Sequence, residues 1–188
     1  LQYCRNSYDM RLLVIGANGL VGSNLVTQGR WRGWDVSGTY HSAAPAFDIP
    51  LSQFRLEESD EFDEVLAQYE PDVVVNAAAM TDVDGCEQHP EQAHLINGTA
   101  PGRLAAQCEN VGSKFVHLST DYVFDGQSRT AYDESAEPSQ VQTYGESKLD
   151  GERTVREHAD DPLVVRLSFV YGVHGATGVL VGFPAWVR

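Results

Sequence analysis

The amino-acid sequence predicts an α/β protein built on a doubly wound parallel sheet. Short apolar runs of strand length alternate with segments of helical periodicity along the chain. The runs are apolar at nearly every position, so each strand needs cover on both faces, which crossover helices supply. The first run also ends in a glycine-rich turn that opens a helix.

Arg11–Ile15 is a short apolar run ending at Gly16, the mark of a buried strand. Beyond the glycines, Leu20, Val21, Leu25 and Val26 follow helical spacing, and Asp35–Tyr40 reads as a second strand. Residues 61–70 form the cleanest helix, with Phe62, Val65, Leu66 and Tyr69 on one face and Pro71 ending it. Residues 72–76 (DVVVN) then read as a strand, and a helix over 91–111 stops at Gly112. Residues 114–119 (KFVHLS) form another strand, 144–158 a helix, and Leu163–Leu167 a last strand. Between Ser119 and Tyr144 lie more than twenty residues rich in Asp, Gly, Ser, Gln and Pro, without periodicity. A loop of that length inside a compact domain is functional or disordered. It follows the C-terminal end of a parallel strand, where open α/β sheets bind ligands.

The 188 residues suit one domain, or one domain and the start of a second. A hydrophobic fraction of 42% argues against disorder, and the apolar runs are too short to span a bilayer. The 27 acidic against 13 basic residues give a formal charge of −14, which repels phosphate backbones and anionic lipids. Neither nucleic acid nor membrane is expected as a partner. Lys114 and Lys148 are the two lysines, and an acidic, lysine-poor surface suits solvation at high salt or simply an acidic cytosolic protein. Cys4, Cys86 and Cys108 show no metal or disulfide spacing, so packed thiols in a reducing cytoplasm are expected. Residues 1–9 carry no apolar signal segment and read as an extension before Met10.

Four short segments carry chemistry. Gly16-Ala17-Asn18-Gly19-Leu20-Val21-Gly22 joins the first strand to the first helix, where glycines let the backbone approach a pyrophosphate and the helix N-terminus offers free N–H groups. Its spacing is G-x-x-G-x-x-G, not the common G-x-G-x-x-G, and a tight turn alone also explains such a cluster. Tyr144 and Lys148 stand at i and i+4, on one helical face. A tyrosine with a pKa of about 10 is a poor acid–base catalyst near neutrality, and a neighbouring ammonium would lower it. Eight tyrosines and two lysines in 188 residues give roughly 0.09 chance pairs at this spacing, so the pair alone is suggestive only. Thr120 ends the KFVHLS strand, where its hydroxyl can meet a substrate carbonyl or merely start a turn. Asn76 is followed by Ala77, Ala78 and Ala79, small residues that admit a flat ligand or a closely packed helix.

Taken together, these residues resemble the extended short-chain dehydrogenase/reductase superfamily and, within it, the dTDP-4-dehydrorhamnose reductase family. The likeness runs over residues 11–172 and rests on STDYVFDG (119–126), YGESKLDGE (144–152), NAAAMTDVDGCE (76–87), Ile96-Asn97 and VRLSFVYG (165–172). It implies a Rossmann-like fold and NAD(P)H-dependent reduction of the 4-keto group of a nucleotide-linked deoxysugar, dTDP-4-dehydrorhamnose to dTDP-L-rhamnose. By the same resemblance Tyr144 is the general acid, Lys148 binds the nicotinamide ribose and depresses the tyrosine pKa, Thr120 orients the carbonyl and Asn97 helps relay protons. Gly16, Asn18, Gly19, Leu20, Val21 and Gly22 would hold the pyrophosphate. Asp48 and Ile49 would lie near the adenine, His41 and Ser42 at the end of the second strand, and Ala77–Ala79 along the cofactor. No carboxylate stands at Thr39-Tyr40-His41-Ser42 to accept from a ribose 2′-OH, so NADPH is expected over NADH.

The implied division is an extension (1–9), an NAD(P)-binding domain (10–172) and the start of a truncated substrate-binding region (173–188). Some bacterial relatives use acidic residues after the glycine loop in a metal-linked dimer; Asn24 stands in that neighbourhood, so no metal is expected, although fold analogy keeps a homodimer open. Two other readings compete with the reductase. One is a non-catalytic NADP-binding regulatory subunit similar to that of methionine adenosyltransferase; the other is a nucleotide-sugar epimerase or dehydratase of the same superfamily.

Overall fold

The computed structural model describes residues 10–181; the extension at 1–9 with Cys4, and residues 182–188, lie outside the described part. Six parallel strands form one sheet in the order β3-β2-β1-β4-β5-β6. They are β1 (Arg11–Ile15), β2 (Asp35–Tyr40), β3 (Leu51–Gln53), β4 (Val73–Asn76), β5 (Lys114–Thr120) and β6 (Leu163–Leu167). The helices between them are α1 (Leu20–Trp31), α2 (Phe62–Tyr69), α3 (Val83–Gln88), α4 (Pro90–Ala93), α5 (Ala100–Val111) and α6 (Thr143–His158). A two-stranded antiparallel pair, β7 (Gly172–Val173) with β8 (Leu180–Val181), follows β6.

Alternation along the central strands explains why both sheet faces are covered. Leu13, Ile15 and Val74 enter one core with Phe62, Leu66, Leu104, Phe115 and Val155, beneath α2, α5 and α6. Leu12, Val14 and Val75 point the other way and pack with Val26 and Val36, beneath α1. Strand order reverses at β1, which pairs with β2 on one side and β4 on the other. The ends of β1 and β4 therefore flank an open crevice, the place where such sheets take ligands.

Every strand and helix expected from the sequence forms, with shifts at the ends. α3 and the β7–β8 pair were not expected, nor were three further features. β3 is three residues long, too short for a periodicity to show, and is recruited by pairing with β2. The helix anticipated over 91–111 starts at Pro90 and is interrupted by a π-turn at His94–Thr99, an irregularity common at functional sites. The long segment after β5 is ordered by its own side chains. Phe124 stacks on Tyr132 at 4.2 Å, Tyr132 Oη donates to Asp125 at 2.6 Å, and Val123 and Phe124 pack on Leu149 of α6.

The docking of α6 onto β5 and β6 depends on a buried carboxylate. Glu152 is fully buried, accepting from Ser119 Oγ at 2.7 Å and from Arg166 Nε and a terminal guanidinium nitrogen at 2.8 and 2.6 Å. Arg156, one turn along α6, adds a longer contact at 3.3 Å. Burial pushes the Glu152 pKa up, but the hydrogen bonds of Arg166 and Ser119 and the charges of Arg166 and Arg156 outweigh it, and the net direction is down.

Its folded pKa being lowered, Glu152 contributes stability that is present above the unfolded value of about 4.3. That contribution is lost as pH falls through the lower folded value. Glu152→Leu leaves Arg166 without its partner and is expected to cost about 3–5 kcal/mol at neutral pH. Urea unfolding at neutral pH and at about pH 3 should show the gap between wild type and Glu152→Gln closing on acidification. A gap that stays constant across that range would mean the carboxylate's ionisation is not what holds α6.

Candidate active site

The crevice at the strand ends opens into a cleft of about 900 Å³ lined from four directions. The glycine turn supplies Gly16, Asn18, Gly19, Leu20 and Val21; the end of β2 supplies Tyr40, His41, Ser42 and Ala43. The turn after β4 contributes Ala77, Ala78 and Ala79, and β5 with α6 contributes Thr120, Tyr144 and Lys148. A second cavity of about 300 Å³ adjoins it, sharing Gly16, Tyr40, His41, Ala78 and Ala79 and continuing to Phe54, Met80, Gln92 and Ile96.

The glycine turn is shaped by backbone constraints. Gly16 has φ +80°, in the left-handed region. A Cβ at Gly22 would stand 2.1 Å from the Gly16 carbonyl oxygen, so the first turn of α1 lies directly on the loop. Thr39 stitches the turn to β2, its carbonyl accepting from the Ala17 N–H at 2.8 Å and its hydroxyl from that of Gly16 at 3.4 Å. No side chain caps the N-terminus of α1 at Gly19, leaving its first N–H groups directed into the cleft mouth for an anion.

α6 presents the titratable pair. Gln142 accepts from the Gly145 N–H at 2.7 Å, and Glu87 of α3 accepts from both the N–H and the hydroxyl of Thr143, which fixes where the helix begins. Tyr144 and Lys148 then face the cleft one turn apart, with Tyr122 edge-on to the Tyr144 ring at 5.6 Å. Burial raises the Tyr144 pKa; a hydrogen bond with Thr120 lowers it, and the charges of Cys86, Asp121 and Tyr122 push it up again. This net rise departs from the lowering expected of a lysine neighbour. The physical reason is burial of the phenol; Lys148 is 2% exposed, donates to the Leu118 carbonyl at 2.6 Å, and is itself pushed down to about 8 by burial against the opposing charge of Glu152. The phenol is thus held protonated, a proton donor at neutral pH.

Thirteen of the expected site residues line this cleft, and four do not. Gly22 serves the packing of α1 on the loop. Asp48 and Ile49, expected near the adenine, precede β3, and Ile49 packs toward the α1 face of the sheet. The C-terminal end of β3 carries Phe54, which lines the smaller cavity and was missed because the strand itself was. Asn97 lies in the π-turn with its amide spent: Oδ1 accepts from Met80 N–H at 2.8 Å, and Nδ2 donates to Met80 O at 2.9 Å and Ser147 Oγ at 3.1 Å. It braces the turn after β4 against α6. Leu167, Ser168, Phe169 and Val170 also line the cleft, from within the VRLSFVYG segment. Asn24 donates to the Val173 carbonyl at 2.9 Å, tying α1 to β7. Cys86 and Cys108 are buried, and burial pushes the Cys108 thiol up to about 12. Among the described residues no helix is long and apolar enough to cross a membrane.

Residues 10–181 match the family described as RmlD substrate binding domain. The probable low-salt glycan biosynthesis reductase Agl14 of Haloferax volcanii is 52% identical over 178 residues, 95% of this chain and 59% of that protein. The dTDP-4-dehydrorhamnose reductase of Burkholderia thailandensis is 37% identical over 166 residues, 88% of this chain and 52% of that protein. The crystal structure of dTDP-4-dehydrorhamnose reductase from Bacillus anthracis in complex with NADP superposes with a TM-score of 0.78 at 29% identity, covering 90% of this chain and 57% of that one. The chain thus spans a little over half the length of the relatives it matches.

The packing at Gly22 is directly testable. Gly22→Ala places a methyl group against the Gly16 carbonyl and is expected to lower the unfolding free energy by about 1–3 kcal/mol. An unchanged urea midpoint would show that the loop has room to spare.

Proposed function

The chain belongs to the RmlD substrate binding domain family, and from that premise we propose that it is an NAD(P)H-dependent reductase of a nucleotide-linked keto-deoxysugar. The substrate is dTDP-4-dehydrorhamnose or a close analogue, reduced at its 4-keto group. The observation that carries the reading is the protonated Tyr144 phenol beside the Thr120 hydroxyl in a cleft that starts at an uncapped helix N-terminus.

The cleft suits a dinucleotide. The N–H groups of Leu20 and Val21 in the uncapped first turn of α1 and the close approach allowed by Gly16 fit a pyrophosphate. Ala77–Ala79 leave room for a flat ring system, and the smaller cavity beside Phe54 and Ile96 fits the adenine end. Tyr40, His41 and Ser42 offer no carboxylate to a ribose 2′-OH, which favours NADPH. When bound, the reduced nicotinamide supplies a hydride.

The chain's own residues supply the rest. A carbonyl oxygen gaining charge needs a donor already aimed at it, and the Tyr144 phenol is that general acid. Thr120 sits on the adjacent strand end, where its hydroxyl orients the same oxygen. Its own position is set by the Tyr122 N–H, which it accepts at 3.2 Å. Lys148, one turn from Tyr144, meets the cofactor ribose and offsets the charge left on the phenol oxygen. Residues 10–172 form the cofactor domain in this reading.

Cofactor binding is the direct test, because every residue assigned to it lies in the described part of the chain. Titration with NADPH and NADH in low and high salt should give saturable fluorescence enhancement, tighter for NADPH and lost in Gly19→Trp. Folded protein that binds neither cofactor would sink the proposal. For turnover of a nucleotide-linked 4-ketosugar, Tyr144→Phe should lower kcat by at least about a hundredfold while leaving NADPH affinity within a few-fold. Binding without turnover of any such sugar would favour a regulatory cofactor-binding subunit.

A further inference from the structure

The β7–β8 hairpin stands apart from the main sheet, and the proposed reaction gives it no role. Val173 and Val179 are more than half exposed, so apolar packing of these side chains does not hold it in place. Polar contacts do, and they fall on the glycine turn and the start of α1. The Val173 carbonyl accepts from Asn24 Nδ2 at 2.9 Å, and His174 Nε2 lies 2.9 Å from the Asn18 carbonyl oxygen. The Gly175 N–H donates to Ser23 Oγ at 3.0 Å. Three successive residues are thus tied down, and closely: a Cβ on Gly175 would stand 2.3 Å from the Ser23 carbonyl oxygen.

The partners of His174 decide which nitrogen carries the proton. Nδ1 faces the Ala176 N–H at 3.3 Å, a group that only donates, and Nε2 faces the Asn18 carbonyl, a group that only accepts. Of the two neutral tautomers, the one with its proton on Nε2 satisfies both. The hairpin aims the ring, because the His174 N–H donates to the Val179 carbonyl and the His174 carbonyl accepts from the Gly178 N–H, both at 2.8 Å.

Asn18 shares a peptide group with Gly19, and both ends of that group are bonded. The Gly19 N–H donates to the Gly16 carbonyl at 3.0 Å, while the Asn18 carbonyl accepts from His174. On the other flank the Asn18 side chain donates to the Ala43 carbonyl at 3.2 Å. Asn18 and Gly19 line the cleft, and His174 lies outside its lining, so the imidazole draws the carbonyl oxygen toward the hairpin and away from the cleft. Rotation of this peptide would swing the oxygen, the negative end of its dipole, toward the N–H groups of Leu20 and Val21 and repel an anion there. We propose that His174 is a positioning residue for the pyrophosphate site. Its Nε2–H keeps the Asn18 carbonyl turned away, leaving the mouth of α1 to N–H groups. The ligand class rests on the proposed function; the hold of His174 on the turn does not.

Two substitutions separate the donor from its bulk. His174→Gln keeps an N–H at about the reach of Nε2, whereas His174→Asn extends only about as far as Nδ1 and leaves the Asn18 carbonyl without its donor. In cofactor-free protein, amide hydrogen exchange at Gly19 is expected to quicken about tenfold in His174→Asn and to stay within about twofold of wild type in His174→Gln. The amides of β4 should be unchanged in both, which separates a local effect from general loosening. NADPH affinity is expected to follow the same order, about tenfold weaker in His174→Asn and recovered in His174→Gln. Equal behaviour of the two variants, in exchange or in affinity, would overturn the inference, because a residue that only fills space does not distinguish a donor from its absence. Wild-type protein with isotope-labelled histidine gives a check without a substitution, in buffer alkaline enough for neutral imidazole. A proton on Nε2 of His174 supports the inference, and one on Nδ1 refutes it. If wild-type protein binds neither cofactor, the proposed function fails, and exchange at Gly19 still decides whether His174 holds the turn.

Discussion

Glu152 sits where α6 meets β5 and β6, and the placement of the titratable groups follows from how that carboxylate is satisfied. A charge removed from water this completely is tolerated only when each oxygen is paired. Ser119 at the end of β5 and Arg166 on β6 supply those pairs, so the helix is fastened to two strands at once. Arg166 also lies 5.0 Å above the Phe124 ring, and Phe124 stacks on Tyr132, which extends the same anchor into the segment after β5. Surface pairs such as Lys114–Asp161 and Arg103–Asp60 have no such role, since exposed ion pairs are worth little.

With α6 fastened at Glu152, its earlier turns are carried to the cleft. Glu87 and Gln142 hold the first residues of the helix, and Ser147 bonds to Asn97 on the π-turn. The helix is therefore gripped from α3, from the turn after β4 and from the sheet. Rigid support of this kind keeps a proton donor within the narrow geometry that carbonyl chemistry needs. The low-dielectric interior that supplies the rigidity also sets the protonation states: it raises Tyr144, lowers Lys148 and keeps His117 neutral.

The cleft divides into a part built from backbone and a part built from side chains. At the α1 end, N–H groups and small residues do the work, and the geometry follows from the glycines and alanines. At the α6 end, Thr120, Tyr144 and Lys148 project from a strand end and one helical face. Leu167–Val170 close the cleft along β6. The exposed Phe169 and Tyr171 nearby show that this side is the least covered.

Much of this was legible in the sequence. Apolar runs and helical spacings located five of the six sheet strands and the helices after β1, before β4 and before β6, because burial on two faces leaves a pattern that neighbours in sequence can carry. The glycine turn and the Tyr144–Lys148 pair were legible for the same reason: each is local, and each constrains residues within a turn of one another. What the chain could not state locally was decided by tertiary contact. β3 exists because β2 offers it an edge, so Phe54, and not Asp48 or Ile49, reaches the cavity. Asn97 is consumed by Met80 and Ser147, partners seventeen and fifty residues away. The tyrosine pKa moves up because burial, which depends on the whole packed chain, exceeds what the hydrogen bond with Thr120 takes away. Periodicity and spacing are properties of the chain, but burial and the pairing of buried charges exist only once distant segments exclude water together.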